Sequence, residues 1–481
     1  MPRLVIVSNR VPLPTDRGPR AGGLAVALAD ALRPGSLWFG WSGKRGSRTG
    51  TEPVLQEAAG ITYATIDLSE SDYRQFYAGY SNGVLWPLLH YRLGLVDYST
   101  GEYTGYRAVN RRFAACIAPL LQPDDLVWVH DYHLIPLGEE LRRLGVRNRI
   151  GFFLHTPFVP PELIRALPHA EEMLAAFCAY DVAGFHTSGH CAAFLRCMDE
   201  VLGVTPDDQG HIVTETGSLH PIIDPIGIDA QGFATMAANS ARGAEAKRMK
   251  ASLANRVLAI GVDRLDYSKG LVHRFEAFAR LLAHYPQHRR QVSLFQVAPR
   301  SREDLGAYQT LRQELDRIVG DTNGQYSEFD WVPLRYMTRA VGRRTLSGFY
   351  RIARLGVVTP LRDGMNLVAK EFVAAQPADD PGVLVLSQFA GAADEMTDAL
   401  VVNPFDADAI AEAMHVALTM GADERKARYQ ALRARVWDST AAKYCETFLS
   451  HLQPPVRGIT VLDPVSAGGA PLIVEAAAPA S

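Results

Sequence analysis

Residues 257–270 read VLAIGVDRLDYSKG. An unbroken apolar run stops at Asp263, gives way to a charged turn ending on a glycine, and is followed by a stretch of helical period. A strand buried on both faces, as in a parallel sheet, shows continuous apolar character and not alternation, so this stretch predicts a β-α unit. The same pattern recurs at Leu4 to Ser8, Leu126 to His130, Ile150 to His155, Val182 to His186, Val292 to Val297, Leu355 to Thr359 and Val383 to Ser387. Each run meets a turn signal or a helix start, so the expected class is α/β with parallel sheets.

At 481 residues the chain exceeds one ordinary core and should form two large domains sharing a cleft. The segment PIIDPIGID, Pro221 to Asp229, holds two prolines and a glycine before a polar helical segment, which suggests a boundary between 1–229 and 230–435. From 453 to 481 the composition turns to Ala, Pro and Gly without period and reads as a mobile tail.

The 49 basic and 52 acidic residues nearly cancel, leaving a net charge of −3, so nothing global draws the chain to nucleic acid or an anionic membrane. Any phosphate must be gripped locally. Five scattered cysteines without a C-x-x-C pair argue against a disulfide framework. The first apolar run is too short for a signal peptide, and no stretch approaches the about 20 apolar residues of a membrane span, so a cytoplasmic protein is expected. Oligomeric state is left open, a homo-oligomer included.

Ligands of open α/β sheets bind beyond the carboxyl ends of the strands, so polar residues placed there carry information. Ser8-Asn9-Arg10 ends the first strand, and the turn Gly22-Gly23 leads into LAVALADAL. Amides of such a turn at a helix start point at an anion, although a plain turn explains a lone Gly-Gly better. His130-Asp131-Tyr132-His133 and His155-Thr156-Pro157-Phe158 end two further strands. A zinc set of His130, His133 and His155 lacks a nearby cysteine or second acidic ligand, so a substrate role is favoured and no metal is expected. Each histidine alone is also compatible with a satisfied core position.

Arg264 and Lys269 lie five apart across the turn of the opening stretch and can bring a planar fork and a point charge to one diphosphate. A solvated turn with an Asp-Arg pair is the plainer alternative, yet Lys269 is one of only seven lysines. Arg300 and Arg302 add positive charge to the same edge. Residues 359–371, TPLRDGMNLVAKE, place Asp363-Gly364 in a turn and start a helix near Asn366 that carries Glu371. That helix start suits a negative ligand and the helical Glu suits paired sugar hydroxyls, while a capped core helix would account for Glu371 alone. No G-x-x-x-x-G-K-[ST] occurs, which excludes a P-loop NTPase. The pair Asp406 and Asp408 opens a helical pattern and is explained by capping.

Taken together, the motifs SNR from Ser8, VWVHDYHL, GVDRLDYSKG and TPLRDGMNLVAKE resemble those of the trehalose-6-phosphate synthase family, retaining glycosyltransferases with the two-Rossmann architecture called GT-B. The resemblance spans Leu4 to about His451. It implies transfer of glucose from a nucleotide sugar, commonly UDP-glucose, to glucose 6-phosphate, giving α,α-trehalose 6-phosphate and UDP with no cofactor. By family position, Arg10, Trp41, Tyr77, Trp86 and Arg302 hold the acceptor, and Asp131 takes its hydroxyls. Gly22, Gly23, Arg264 and Lys269 grip the donor diphosphate, and His155 contacts the transferred glucose. Asp363 and the segment Gly364, Met365, Asn366, Leu367, Val368, Ala369 and Lys370 line the donor, Glu371 takes the ribose, and Val341 lies near the base. Asp131, His155, Arg264, Lys269 and Asp363 are the expected catalytic group. The resemblance also implies that a closing helix around 436–452 returns to the first domain.

The chain departs from the family's usual His-Ile-Pro-Phe-Pro at His155-Thr156-Pro157-Phe158-Val159, which puts a hydroxyl beside the donor sugar. A GDP-glucose or cyclitol-nucleotide donor is the alternative within enzymes. A non-catalytic sugar-phosphate sensor is the alternative outside them, and it should have lost some of Arg264, Lys269, Asp131 or Asp363, all of which are present.

Overall fold

This computed structural model describes residues 2–15, 28, 32–46, 52–214, 217–302 and 305–453. Gly22, Gly23, most of the run after them and the tail from 454 lie outside the described residues. The first part of the chain supplies β1 (Leu4–Arg10), β2 (Leu37–Arg45), β3 (Val54–Ala58), β4 (Ile61–Leu68), β5 (Leu126–His130), β6 (Arg149–Phe153), β7 (Val182–Phe185), β8 (Ile212–Thr214) and β9 (Gly217–Ile223). They form one sheet in the order β3-β4-β2-β1-β5-β6-β7-β9-β8, parallel except at the β3/β4 and β8/β9 pairs.

The second part supplies β10 (Val257–Val262), β11 (Val292–Val297), β12 (Leu334–Met337), β13 (Leu355–Val358), β14 (Val383–Ser387) and β15 (Leu400–Val402), all parallel, in the order β12-β11-β10-β13-β14-β15. Every residue of β5, β11 and β14 is buried, as continuous apolar runs covered on both faces require. The eight strands expected from such runs are all present, with ends shifted by up to two residues.

The sequence reading missed the long interior strands β2 and β4 as well as the short or edge strands β3, β8, β12 and β15 and the strand β9. Val54 and Leu55 of β3 are 56% and 54% exposed on an edge, so burial imposes no pattern there. One expectation needs correction: Pro221 does not open a linker but lies inside β9, paired with Ala183 of β7. His220 and Asp224 donate toward β7 from alternate positions, so Pro221 faces the other side. There β8 has already ended at the Ile212–Leu219 pair, and the missing N–H forfeits no ladder bond.

Two crossings join the sheets. The chain leaves β9 through residues 224–229 into the helix Ala230–Ser240, whose N-cap Asp229 accepts from the Gly232 amide. It returns after the helix Ala422–Asp438 through Ser439 and Thr440 into the helix Ala441–Leu452, which packs on β6 and β7. On that last helix Phe448 stacks on Trp128 of β5 at 4.4 Å.

Candidate active site between the two sheets

The carboxyl ends of β5 and β6 meet those of β10 and β13. They come close at Gly364, where a Cβ would sit 2.0 Å from the carbonyl oxygen of His155, so only glycine allows this approach. Trp86 Nε1 donates across the cleft to Asp266 at 3.3 Å, and Arg302 donates to the Tyr132 hydroxyl at 3.1 Å.

On the first edge, Asp131 holds a φ of 75° immediately after β5. Such a conformation in a non-glycine residue costs about 1–3 kcal/mol and persists only where the surroundings enforce it. Here the Asp131 carboxylate accepts from the amides of Tyr132 at 3.0 Å and His155 at 3.3 Å, and its own amide donates to Phe153. Burial raises its carboxyl to about 6, against the opposing pull of those amides and of Arg302 and Arg264. His155 Nε2 lies 3.1 Å from His130 Nδ1, and burial lowers His155 to about 3, so this is a neutral imidazole pair at ordinary pH. His133 stacks on Tyr77 at 5.8 Å. Among the described residues no group of three or more His, Cys, Asp or Glu side chains is placed to hold a metal ion.

On the second edge, the turn after β10 carries exposed Arg264 and half-buried Lys269. Lys269 donates to Asp363 at 2.6 Å, and Asn366 donates to the same oxygen at 3.0 Å. Burial pushes Asp363 up, but Lys269 more than reverses it, so the carboxyl lies below its ordinary value. Asn366 precedes the helix Leu367–Ala375 without capping it by its side chain, leaving the first amides of that helix uncapped toward the cleft. One turn on, Glu371 accepts from Arg343 at 3.2 Å; burial raises its carboxyl against that guanidinium.

The third wall is aromatic and cationic. Tyr73–Leu85 is wound with wide i→i+5 turns, seen in the Trp86 amide donating to Ser81, and it delivers Tyr77 and Trp86 to the cleft. Trp41 of β2 packs against Tyr77 at 5.5 Å, while the guanidinium of Arg10 lies against Gly43. The Arg302 guanidinium sits 4.1 Å over the Trp86 ring and Arg264 5.5 Å over it, both cation–π arrangements. Beneath them Asp266 accepts from Ser268, Tyr308, Arg302 and Trp86. Burial opposes its charge, yet Arg302, Arg264 and Lys269 prevail and hold it near 2.

Trp86, Asp131 and His155 on the first edge thus stand close to Arg264, Lys269, Arg302, Asp363, Gly364 and Asn366 on the second, with Tyr77 against His133 and Trp41 against Tyr77, while Arg10 lies by Gly43 and Glu371 by Arg343. Val341 stands half-buried just ahead of the helix Arg343–Ile352 that carries Arg343. Met365 and Ala369 turn into the core, leaving only their backbone to a ligand, while Leu367 and Val368 are half-buried. Lys370 corrects the expectation that it lines the donor: its side chain is fully buried, bound to Ile226, Ser439 and Glu395 on the far side of the helix. Sequence reasoning passed over Asp266, Tyr132 and Tyr308, which hold Arg302 and Trp86 in place. The first two stood inside quoted motifs, whereas Tyr308 heads an ordinary helix, Gly306–Tyr326, and carried no signal.

Residues 3–454 match the model of glycosyltransferase family 20. The chain is 46% identical over 457 residues to a trehalose-6-phosphate synthase of Sinorhizobium fredii, covering 94% of this chain and 98% of that one. An α,α-trehalose-phosphate synthase (UDP-forming) of Burkholderia xenovorans, solved with glucose-6-phosphate, superposes with a TM-score of 0.91 at 45% identity, covering 94% of this chain and all of that one. An Escherichia coli structure, trehalose-6-phosphate bound with UDP-2-fluoro glucose, superposes with a TM-score of 0.89 at 44% identity, over 94% of this chain and 98% of that one.

Proposed function

This chain belongs to glycosyltransferase family 20, and from that premise we propose that it transfers glucose from UDP-glucose to glucose 6-phosphate, forming α,α-trehalose 6-phosphate and UDP. The observation that carries this reading is the gathering of Arg264 and Arg302 over Trp86, with Lys269 on Asp363 beside them, facing neutral His155 and the Asp131 carboxylate. Such a concentration of positive charge suits two phosphorylated substrates. The relatives named above favour this reaction over a guanine or cyclitol donor and over a sensor without activity.

The donor diphosphate meets Arg264, Lys269 and the uncapped amides of the helix Leu367–Ala375. Its charge grows as the bond from glucose C1 to the phosphate oxygen breaks, so these groups bind the transition state more strongly than the ground state. With two fixed cations the reaction needs no divalent metal. Asp363, held by Lys269 and Asn366, orients the glucose, and Glu371, held by Arg343, accepts the ribose hydroxyls. Arg302, Arg10, Tyr77, Trp41 and Trp86 seat the acceptor phosphate and ring, and Asp131 takes acceptor hydroxyls. His155, neutral throughout, accepts or donates a hydrogen bond to the transferred sugar and does not serve as an acid.

Retention follows from attack on the face that the phosphate leaves. The acceptor O1 forms the new bond to C1 while its proton passes to the departing phosphate oxygen, so charge balances without an enzyme-bound intermediate. A cytoplasmic setting fits both substrates. The test is to supply the full chain with UDP-glucose and glucose 6-phosphate. Equal amounts of UDP and a non-reducing phosphodisaccharide are expected, with α configuration at both anomeric carbons by NMR. Donor hydrolysis independent of glucose 6-phosphate would sink the proposal.

A further inference from the structure

Lys370 is unused by the chemistry, although it stands beside Glu371 in the donor motif. Its ammonium has three protons and three acceptors: the Ile226 carbonyl at 2.9 Å, the Ser439 hydroxyl at 2.9 Å and Glu395 Oε2 at 2.8 Å. Ile226 lies on the outgoing crossing between the sheets, Ser439 on the returning one, and Glu395 just past the short turn Gly391–Asp394. The crossings also touch directly, because a Cβ on Gly227 would fall 1.9 Å from the Ser439 carbonyl oxygen.

A wholly buried lysine is costly unless every proton is matched, and burial does lower this ammonium against the support of Glu395. Packing alone would be better served by an apolar residue of similar volume. The crossings are also not packed solid: a polar cavity of about 450 Å3, lined by Asp224, Glu395, Arg435, Ser439 and Tyr444, lies beside them. Asp224, at the start of the outgoing crossing, is buried with one carboxylate oxygen unpartnered. Hinges are a few element-terminal residues that absorb backbone change, and both crossings fit that description.

We propose that Lys370 is the positioning residue that couples the two inter-sheet crossings to the donor helix Leu367–Ala375, so that closure of the cleft and placement of the first turn of that helix occur as one motion. This rests on the transfer reaction above. Lys370 touches no substrate; Glu371 and the first-turn amides do, and Lys370 sets where they stand when the sheets close.

The experiment compares wild type, Lys370→Met and Lys370→Met with Glu395→Gln. The double variant removes the stranded carboxylate should the single one fold poorly. Three readouts are taken: UDP affinity in the absence of acceptor, turnover, and the decrease in radius of gyration by X-ray scattering when UDP and glucose 6-phosphate are added. Folded variants should bind UDP within about threefold of wild type, lose about tenfold or more in turnover, and show a weakened contraction. Normal turnover and contraction with only a lower melting temperature would make Lys370 purely structural and overturn the proposal. A large loss of UDP affinity would overturn it in favour of direct donor binding. Wild type that contracts yet makes no disaccharide would refute the transfer reaction and leave the coupling to be judged on contraction.

Discussion

Lys269 and Lys370 both form ion pairs under 3 Å, at 2.6 Å with Asp363 and at 2.8 Å with Glu395, and both belong to motifs that the sequence reading assigned to the donor. Their surroundings differ. Lys269 keeps 12% of its side chain exposed and bonds to Asp363, which also remains partly open. Lys370 has no exposure and three acceptors drawn from separate parts of the chain. A cation with an open side can be shared with an arriving phosphate. A saturated, enclosed one cannot change partners without pulling the crossings apart. Membership of a donor motif therefore says little about which lysine is open to a substrate.

The sharpest way to break this contrast is Lys269→Ala. Turnover should fall by about 100- to 1,000-fold, the usual effect of removing one donor aimed at developing negative charge. Unchanged steady-state turnover would remove Lys269 from the chemistry. Next comes Gly364→Ala, which forces a methyl group against the His155 carbonyl and separates the two edges. A displacement of about 1 Å typically costs about 100-fold, and here it should appear in turnover with the fold retained by circular dichroism.

Arg302→Ala tests the acceptor wall. Its charge-assisted bonds are worth roughly 1.5–3 kcal/mol, so KM for glucose 6-phosphate should rise roughly 10- to 150-fold while UDP affinity holds. A defect confined to the donor would contradict the assignment. The smallest effects concern Asp131, whose carboxyl is raised from 3.8 to about 6. The folded state binds this proton more tightly than the unfolded chain does, so the group's contribution is best at low pH and is lost as pH rises through about 6. Asp131→Asn should therefore raise the melting temperature at about pH 8 and change it little near pH 4, although it lowers activity. In wild type, kcat/KM should decline as pH falls through about 6, where the acceptor-binding carboxylate is protonated. A flat profile there would count against that role.

Much of this was legible in the chain. Runs such as LVWVH and VLVLS could only be strands covered on both faces, and their polar ends marked Asp131, His155, Arg264 and Asp363. The edge strand β3 was not legible because an exposed strand carries no obligatory pattern, and Pro221 misled because proline reads as punctuation even where its missing N–H faces no neighbour. Asp406 behaved as composition suggested, accepting from the amides of Asp408 and Ala409 at its helix start.

Local pattern can state which residues line a strand end, a helix start or a core, because those positions follow from periods of two and 3.6 along the backbone. It does not state which distant group completes a charge. Asp363 lies 94 residues from Lys269, and Ile226 and Ser439 lie 144 and 69 residues from Lys370. Burial makes such pairings obligatory, since an unmatched charge in the interior is too costly to keep, but only the packing of the two sheets selects the partner. Two motifs of similar character therefore hold one lysine paired with a partly open carboxylate and another locked between two crossings, and their difference lies in the fold.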